Sequence, residues 1–117
     1  KCVIAAPVWN HSFPAMLKVY LDNIIYRHVT FTYQDGKMLG LCSEMKVLYI
    51  TSSGQVYDGE RKFLDHHQSQ IKAIFDLIGL TQVEVVGLLG RNRLSNEQLL
   101  QEVGKLQGEL QQKAQIF

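Results

Sequence analysis

Apolar residues recur along this chain at two different spacings, and the change from one to the other lays out the elements. Residues 2–6 ("CVIAA") form an unbroken apolar run that stops at Pro7, as expected of a short strand buried on both faces. From Phe13 the spacing changes. Phe13, Met16, Leu17, Tyr20, Leu21 and Ile24 return every three or four residues, which is one face of an amphipathic helix. Ser12 is placed to cap that helix and Pro14 suits its first turn, where a missing N–H is no loss; the pattern fades near Tyr26. Residues 29–41 ("VTFTYQDGKMLGL") alternate β-branched and aromatic side chains around Asp35-Gly36, a hairpin signal, and predict a small β excursion.

A second buried strand is predicted at residues 45–52 ("MKVLYITS"), followed by the polar loop "SSGQVYDGE". Phe63, Leu64, His67, Ile71, Ile74, Phe75 and Ile78 then mark a second amphipathic helix, with Gly79 suited to end it. Residues 81–90 ("TQVEVVGLLG") predict a third strand, and "GRNRLS" a loop in which Ser95 and Gln98 have the spacing of a capping box. The final helix carries Leu99, Val103, Leu106 and Leu110 despite Gly104 and Gly108, and the tail "QGELQQKAQIF" is expected to fray. The order β-α-(β hairpin)-β-α-β-α implies an α/β fold: a doubly wound parallel sheet with right-handed crossovers and helices on both faces.

Composition narrows the picture without redirecting it. The chain has 117 residues, of which 46% are hydrophobic and 20% charged, and a formal net charge of +1. Those values suit one domain and show no basic excess for a nucleic-acid binder. No apolar run approaches the roughly 20 residues of a membrane span. Cys2 and Cys42 are too few and too separated for a disulfide framework or a metal knuckle, so a reducing, cytoplasmic setting is expected. His66 and His67 are neighbours on a predicted helix and point in different directions, which argues against a ligand pair.

In open parallel sheets, ligands bind outside the carboxyl ends of the strands. Both unusual polar loops fall there: residues 7–12, with Trp9, Asn10 and His11, and residues 52–58, with Ser52, Ser53, Gln55 and Tyr57. Aromatic faces beside amide and hydroxyl groups suit a planar heteroaromatic ligand with a polar edge. Neither loop supplies a charged catalytic pair, and no G-x-S-x-G elbow surrounds Ser52 or Ser53. Plainer readings stand beside these. Trp9 also suits core cover at a strand end, Asn10 a turn, and Arg91 with Arg93 either a solvated pair or a nicotinamide phosphate contact.

Four segments, in order, carry a resemblance: "APVWNH", "FPAMLK", "TFTYQDGKMLGL" and "TSSGQ". Together they resemble the FMN-dependent NADH azoreductases of the flavodoxin-like NAD(P)H quinone reductases. The likeness implies a flavodoxin-like fold whose C-terminal portion is present here: three core strands plus the small β excursion. It implies an FMN site at Val8, Trp9, Asn10, His11, Ser52, Ser53, Gly54, Gln55 and Tyr57. It also implies NADH or NADPH as co-substrate, a quinone or azo acceptor and a homodimer; from charge and the lack of a long apolar run, no nucleic-acid or membrane partner is expected. The flavin would do the redox chemistry, which accords with the lack of an acid–base pair.

Against the family pattern, His11 replaces an aromatic or aliphatic residue, Ser53 a frequent arginine and Gln55 a frequent glycine. By strand count residues 2–6 are the family's third strand. Residues 1–117 are therefore expected to form a single incomplete domain lacking the first two strands and the phosphate loop, and to bind FMN poorly in isolation. Two other readings remain. One is a flavodoxin-type electron carrier, which the net charge of +1 disfavours; the other is a non-catalytic fragment of a flavoprotein.

Overall fold

A computed structural model describes residues 1–117. Strand β1 (Cys2–Ala5) pairs in parallel with β4 (Val47–Ser53), and β4 with β5 (Val83–Leu89), giving the order β1-β4-β5. Strands β2 (Phe31–Gln34) and β3 (Lys37–Gly40) form a separate antiparallel hairpin, the predicted excursion. Its turn residues Asp35 and Gly36 are both left-handed, with φ 51° and 74°. The connecting helices are α1 (Ala15–Ile24), α2 (His66–Leu77) and α3 (Asn96–Ile116).

Strand periodicity of two divides the sheet into unlike faces. Ile4, Val47 and Tyr49 point to one side, where Phe13 and Leu21 of the α1 segment and Ile71 and Phe75 of α2 close the buried core with Ile78 and Leu80. The other side carries α3 against β5, and no residue of α3 is fully buried. Between α3 and the sheet runs an open groove of ≈ 400 Å³ lined by Ala5, Ala6, Pro7, Ile50, Leu88 and Leu106. Nearby Val3 is 57% exposed.

Several local expectations give way to tertiary packing. The α1 helix begins at Ala15 with Pro14 as its N-cap. Ser12 does not cap it, because its hydroxyl donates instead to Gln70 Oε1 at 2.7 Å, tying the loop to α2. The helix stops at Ile24 rather than near Tyr26, because the chain turns there toward the hairpin and Tyr26 N–H bonds to Thr30 Oγ1. The second helical pattern divides: a 3₁₀ segment (Gly59–Leu64) leaves Phe63 73% exposed, and α2 proper starts at His66. The tail does not fray. Helix α3 continues to Ile116, and Lys113 Nζ reaches Glu84 of β5 at 2.5 Å. The Ser95–Gln98 capping box is present in full.

One contact fixes the hairpin on the body of the fold. A Cβ on Gly40 would lie 2.0 Å from Gly79 N, so β3 meets the end of α2 through bare backbone.

Ile71→Ala should cost about 2–5 kcal/mol, since its fully buried side chain leaves a cavity. Leu100→Ala, at a 73% exposed position, should stay within about 0.5 kcal/mol. Urea titration followed by circular dichroism separates the two.

Candidate functional site

The two loops singled out in the sequence meet at the carboxyl ends of β1 and β4. Parallel pairing continues past β1, with Ala6 N–H donating to Ile50 O at 3.0 Å and Val8 N–H to Ser52 O at 2.8 Å. Val8 is thereby seated directly beside the second loop. Trp9 and Ser12 exchange backbone bonds of 2.7 and 3.0 Å and close a two-residue turn on Asn10 and His11. Both turn residues are left-handed, with φ 49° and 67°. Asn and His are among the non-glycine types that tolerate this region, which accounts for their presence in the turn. Trp9 leaves the turn 61% exposed.

The second loop is held from within and from β5. Ser53 is buried and its hydroxyl donates to Gln55 O. Gly54 O accepts from Asn92 N–H at 3.0 Å, and Gln55 O from Gly90 N–H at 3.1 Å. Gln55 Oε1 accepts from Arg61 at 3.2 Å, and Ser52 stays exposed. Tyr57 joins the loops: its hydroxyl lies 3.2 Å from His11 Nδ1, and the rings meet edge-on with centroids 5.8 Å apart. Burial pushes the Tyr57 phenol up, with the negative charge of Asp65 adding to the effect. All nine predicted residues thus lie on two adjoining segments, although Ser52 and Ser53 are the last residues of β4 rather than part of the loop that follows it.

Sequence reasoning missed two neighbours. Asn92 lines a cleft of ≈ 340 Å³ together with Val8, Ser52, Ser53, Gly54 and Arg91. Arg91 is partly anchored, its guanidinium bonding Leu94 O at 3.3 Å and Asn96 Oδ1 at 3.4 Å, whereas Arg93 pairs with exposed Asp58 at 3.3 Å. The second is His67, which reads as core by its helical spacing and is fully buried beneath Tyr57. Arg91 and Arg93 mark the loop after β5 in the sequence, but that Asn92 between them reaches the cleft depends on strand order.

The donor set suits a flavin ring. The N–H groups of Asn10, His11, Gly54 and Gln55 donate to no carbonyl of the chain, so acceptors on a heteroaromatic edge find partners on the two segments, next in sequence to the exposed Trp9. The loops contain no carboxylate–histidine pair for acid–base catalysis, and no group of three metal-ligating side chains gathers in the structure.

A three-layer α/β protein with parallel strands and a site at their carboxyl ends is the class this geometry defines. The chain belongs to the flavodoxin-like fold family, whose model matches residues 1–110. It is 38% identical over 87 residues to the FMN-dependent NADH:quinone oxidoreductase 2 of Clostridium acetobutylicum, covering 74% of this chain and 44% of that protein. To the FMN-dependent NADH:quinone oxidoreductase of Legionella pneumophila it is 33% identical over 113 residues, covering 93% of this chain and 55% of that one. The crystal structure of an FMN-dependent NADH-azoreductase from Bacillus anthracis in complex with FMN superposes with a TM-score of 0.81 at 26% identity, over 96% of this chain and 56% of that one. The chain spans about half the length of the curated relatives it matches.

Tyr57→Phe should cost about 0.5–1.5 kcal/mol through loss of the bond to His11. Asp65→Asn should bring the Tyr57 phenol back toward pH 10, because it removes the nearby negative charge. Ultraviolet titration of the tyrosinates checks the second; an unmoved midpoint would exclude the assigned charge effect.

Proposed function

We propose that the polypeptide containing this chain is an FMN-dependent NAD(P)H oxidoreductase that reduces quinones or azo compounds. The observation that carries the reading is the pair of linked loops, with Trp9 beside N–H groups that the chain itself does not satisfy. The relatives named above, which are FMN-dependent NADH enzymes, support it.

In this reading Val8, Trp9, Asn10 and His11 bear on one side of the ring system, and Ser52, Ser53, Gly54, Gln55 and Tyr57 hold its polar edge. When bound, FMN supplies hydride transfer from reduced nicotinamide to the acceptor. The chain's own residues bind, orient and shield: Trp9 offers a flat apolar face, and the left-handed turn fixes Asn10 and His11. The Tyr57–His11 bond keeps the two loops at one separation. Arg91 and Asn92 extend the donor surface toward β5. The phosphate-binding residues, with two further strands beyond the free edge of β1, belong to the rest of the polypeptide. An additional helix would cover the groove along Ala5, Ile50 and Leu106.

The polypeptide is a homodimer in this reading. Met16, Val19 and Tyr20 on α1, with Tyr33, Met38 and Leu39 on the hairpin, leave large apolar side chains exposed. In this reading the reaction takes place in the cytoplasm, a setting with which the unpaired thiols of Cys2 and Cys42 agree. No helix is long and apolar enough to cross a membrane.

The full-length polypeptide should purify yellow, bleach with NADH and recover its colour on adding menadione or methyl red. Trp9→Ala should weaken FMN affinity by on the order of tenfold or more, as loss of one aromatic contact of about 1–3 kcal/mol implies. Fluorescence quenching of FMN measures this, and unchanged affinity together with unchanged turnover would remove Trp9 from the site.

A further inference from the structure

His67 has no part in the chemistry just described, yet it occupies the most constrained position near it. Its side chain is wholly buried and neither ring nitrogen makes a hydrogen bond. Nδ1 lies 2.8 Å from Asp65 Oδ1 without the alignment of an N–H···O bond. The imidazole packs between aromatic rings, with centroids 5.6 Å from Tyr57 and 6.4 Å from Tyr49. Tyr57 in turn holds His11 by the 3.2 Å hydroxyl contact, and His66 N–H donates to His11 O, also at 3.2 Å. The Trp9–Ser12 turn therefore rests on α2's first residue and on a tyrosine whose floor is His67.

We propose that His67 is a positioning residue for the cofactor-facing turn, acting through Tyr57 and the start of α2, and that protonating it loosens this support and weakens FMN binding. This rests on the flavin reading above. The groups facing His67 are Asp65 at the start of α2, Tyr49 of β4 and Tyr57 of the second loop, with His11 one contact further. Only Asp65 carries charge among the first three. Its Oδ1 is also the N-cap acceptor for Gln68 N–H, at 3.5 Å. A buried imidazolium must recruit that carboxylate, and doing so competes with the cap and disturbs the segment from Tyr57 to His66.

Burial lowers the His67 pKa from 6.5, and the opposing pull of Asp65 is the smaller effect. The neutral ring is thus the folded form. The unfolded chain takes up the proton first, so the stability contributed by neutral His67 is complete above about pH 6.5 and is lost as pH falls below it.

Two measurements on the full-length polypeptide decide the matter. In the apoprotein, the His67 and Tyr57 ring signals followed by NMR should show His67 titrating below 6.5, with Tyr57 shifting at the same midpoint. In His67→Phe that shared inflection should vanish. A His67 midpoint at or above 6.5, or Tyr57 signals indifferent to it, overturns the proposal. Second, FMN affinity should fall by up to about tenfold per pH unit once His67 begins to protonate. His67→Phe should flatten that fall, read as the slope of affinity against pH whatever its absolute affinity, and His11→Phe should retain it on the same measure. A fall that survives in His67→Phe, or disappears only in His11→Phe, assigns the effect elsewhere and also overturns the proposal. His67→Gln, neutral and polar, gives the same reading if the phenylalanine variant does not fold. Absence of FMN binding at every pH removes the flavin reading, and the apoprotein titration then decides the role of His67 by itself.

Discussion

The parallel pairing of β4 with both of its neighbours is the constraint on which the rest depends. Val47, Leu48 and Tyr49 are buried between layers, and their register with Cys2, Val3 and Ile4 is fixed by that burial. A slip of one residue would turn Val47 and Tyr49 out of the core and bring charged Lys46 toward it. The same register carries forward past the strand ends, where Val8 N–H meets Ser52 O and brings the two loops together. The site is thus an extension of the sheet's ladder, held by the same interaction as the core.

The two faces of the sheet are in different states. On one, the α1 segment and α2 enclose Tyr49, Ile71 and Phe75 completely. On the other, α3 covers only the β5 side, and Ala5 and Ile50 line an open groove. This asymmetry agrees with a chain that spans about half of its relatives' length. A face that lacks a covering layer and a strand with a free edge are both costly in water.

Around the loops, rigidity comes from polar pairs of modest individual strength. Ser12 to Gln70, Tyr57 to His11, and the amides of Gly90 and Asn92 to the second loop each restrain a different point. Together they hold left-handed residues that would otherwise relax, and rigid support of this kind lets main-chain donors face a ligand. His67 supplies an apolar-like floor through a side chain that remains titratable, which distinguishes it from the phenylalanine and isoleucine packed on the same helix.

Sequence by itself determined the strands, the helices that alternate with them, the hairpin at Asp35-Gly36, the capping box at Ser95 and the place of both polar segments at the strand ends. These rest on periodicity and turn chemistry, which act over a few residues. Only the tertiary structure decided that Ser12 bonds to Gln70 rather than to its own helix, that Phe63 lies outside the core, and that α3 keeps its last turns through Lys113 and Glu84. It also brought Asn92 to the cleft and His67 beneath Tyr57. Each of these joins residues distant in sequence, and a local pattern carries no information about which distant group will compete for a hydroxyl, a carboxylate or a buried ring.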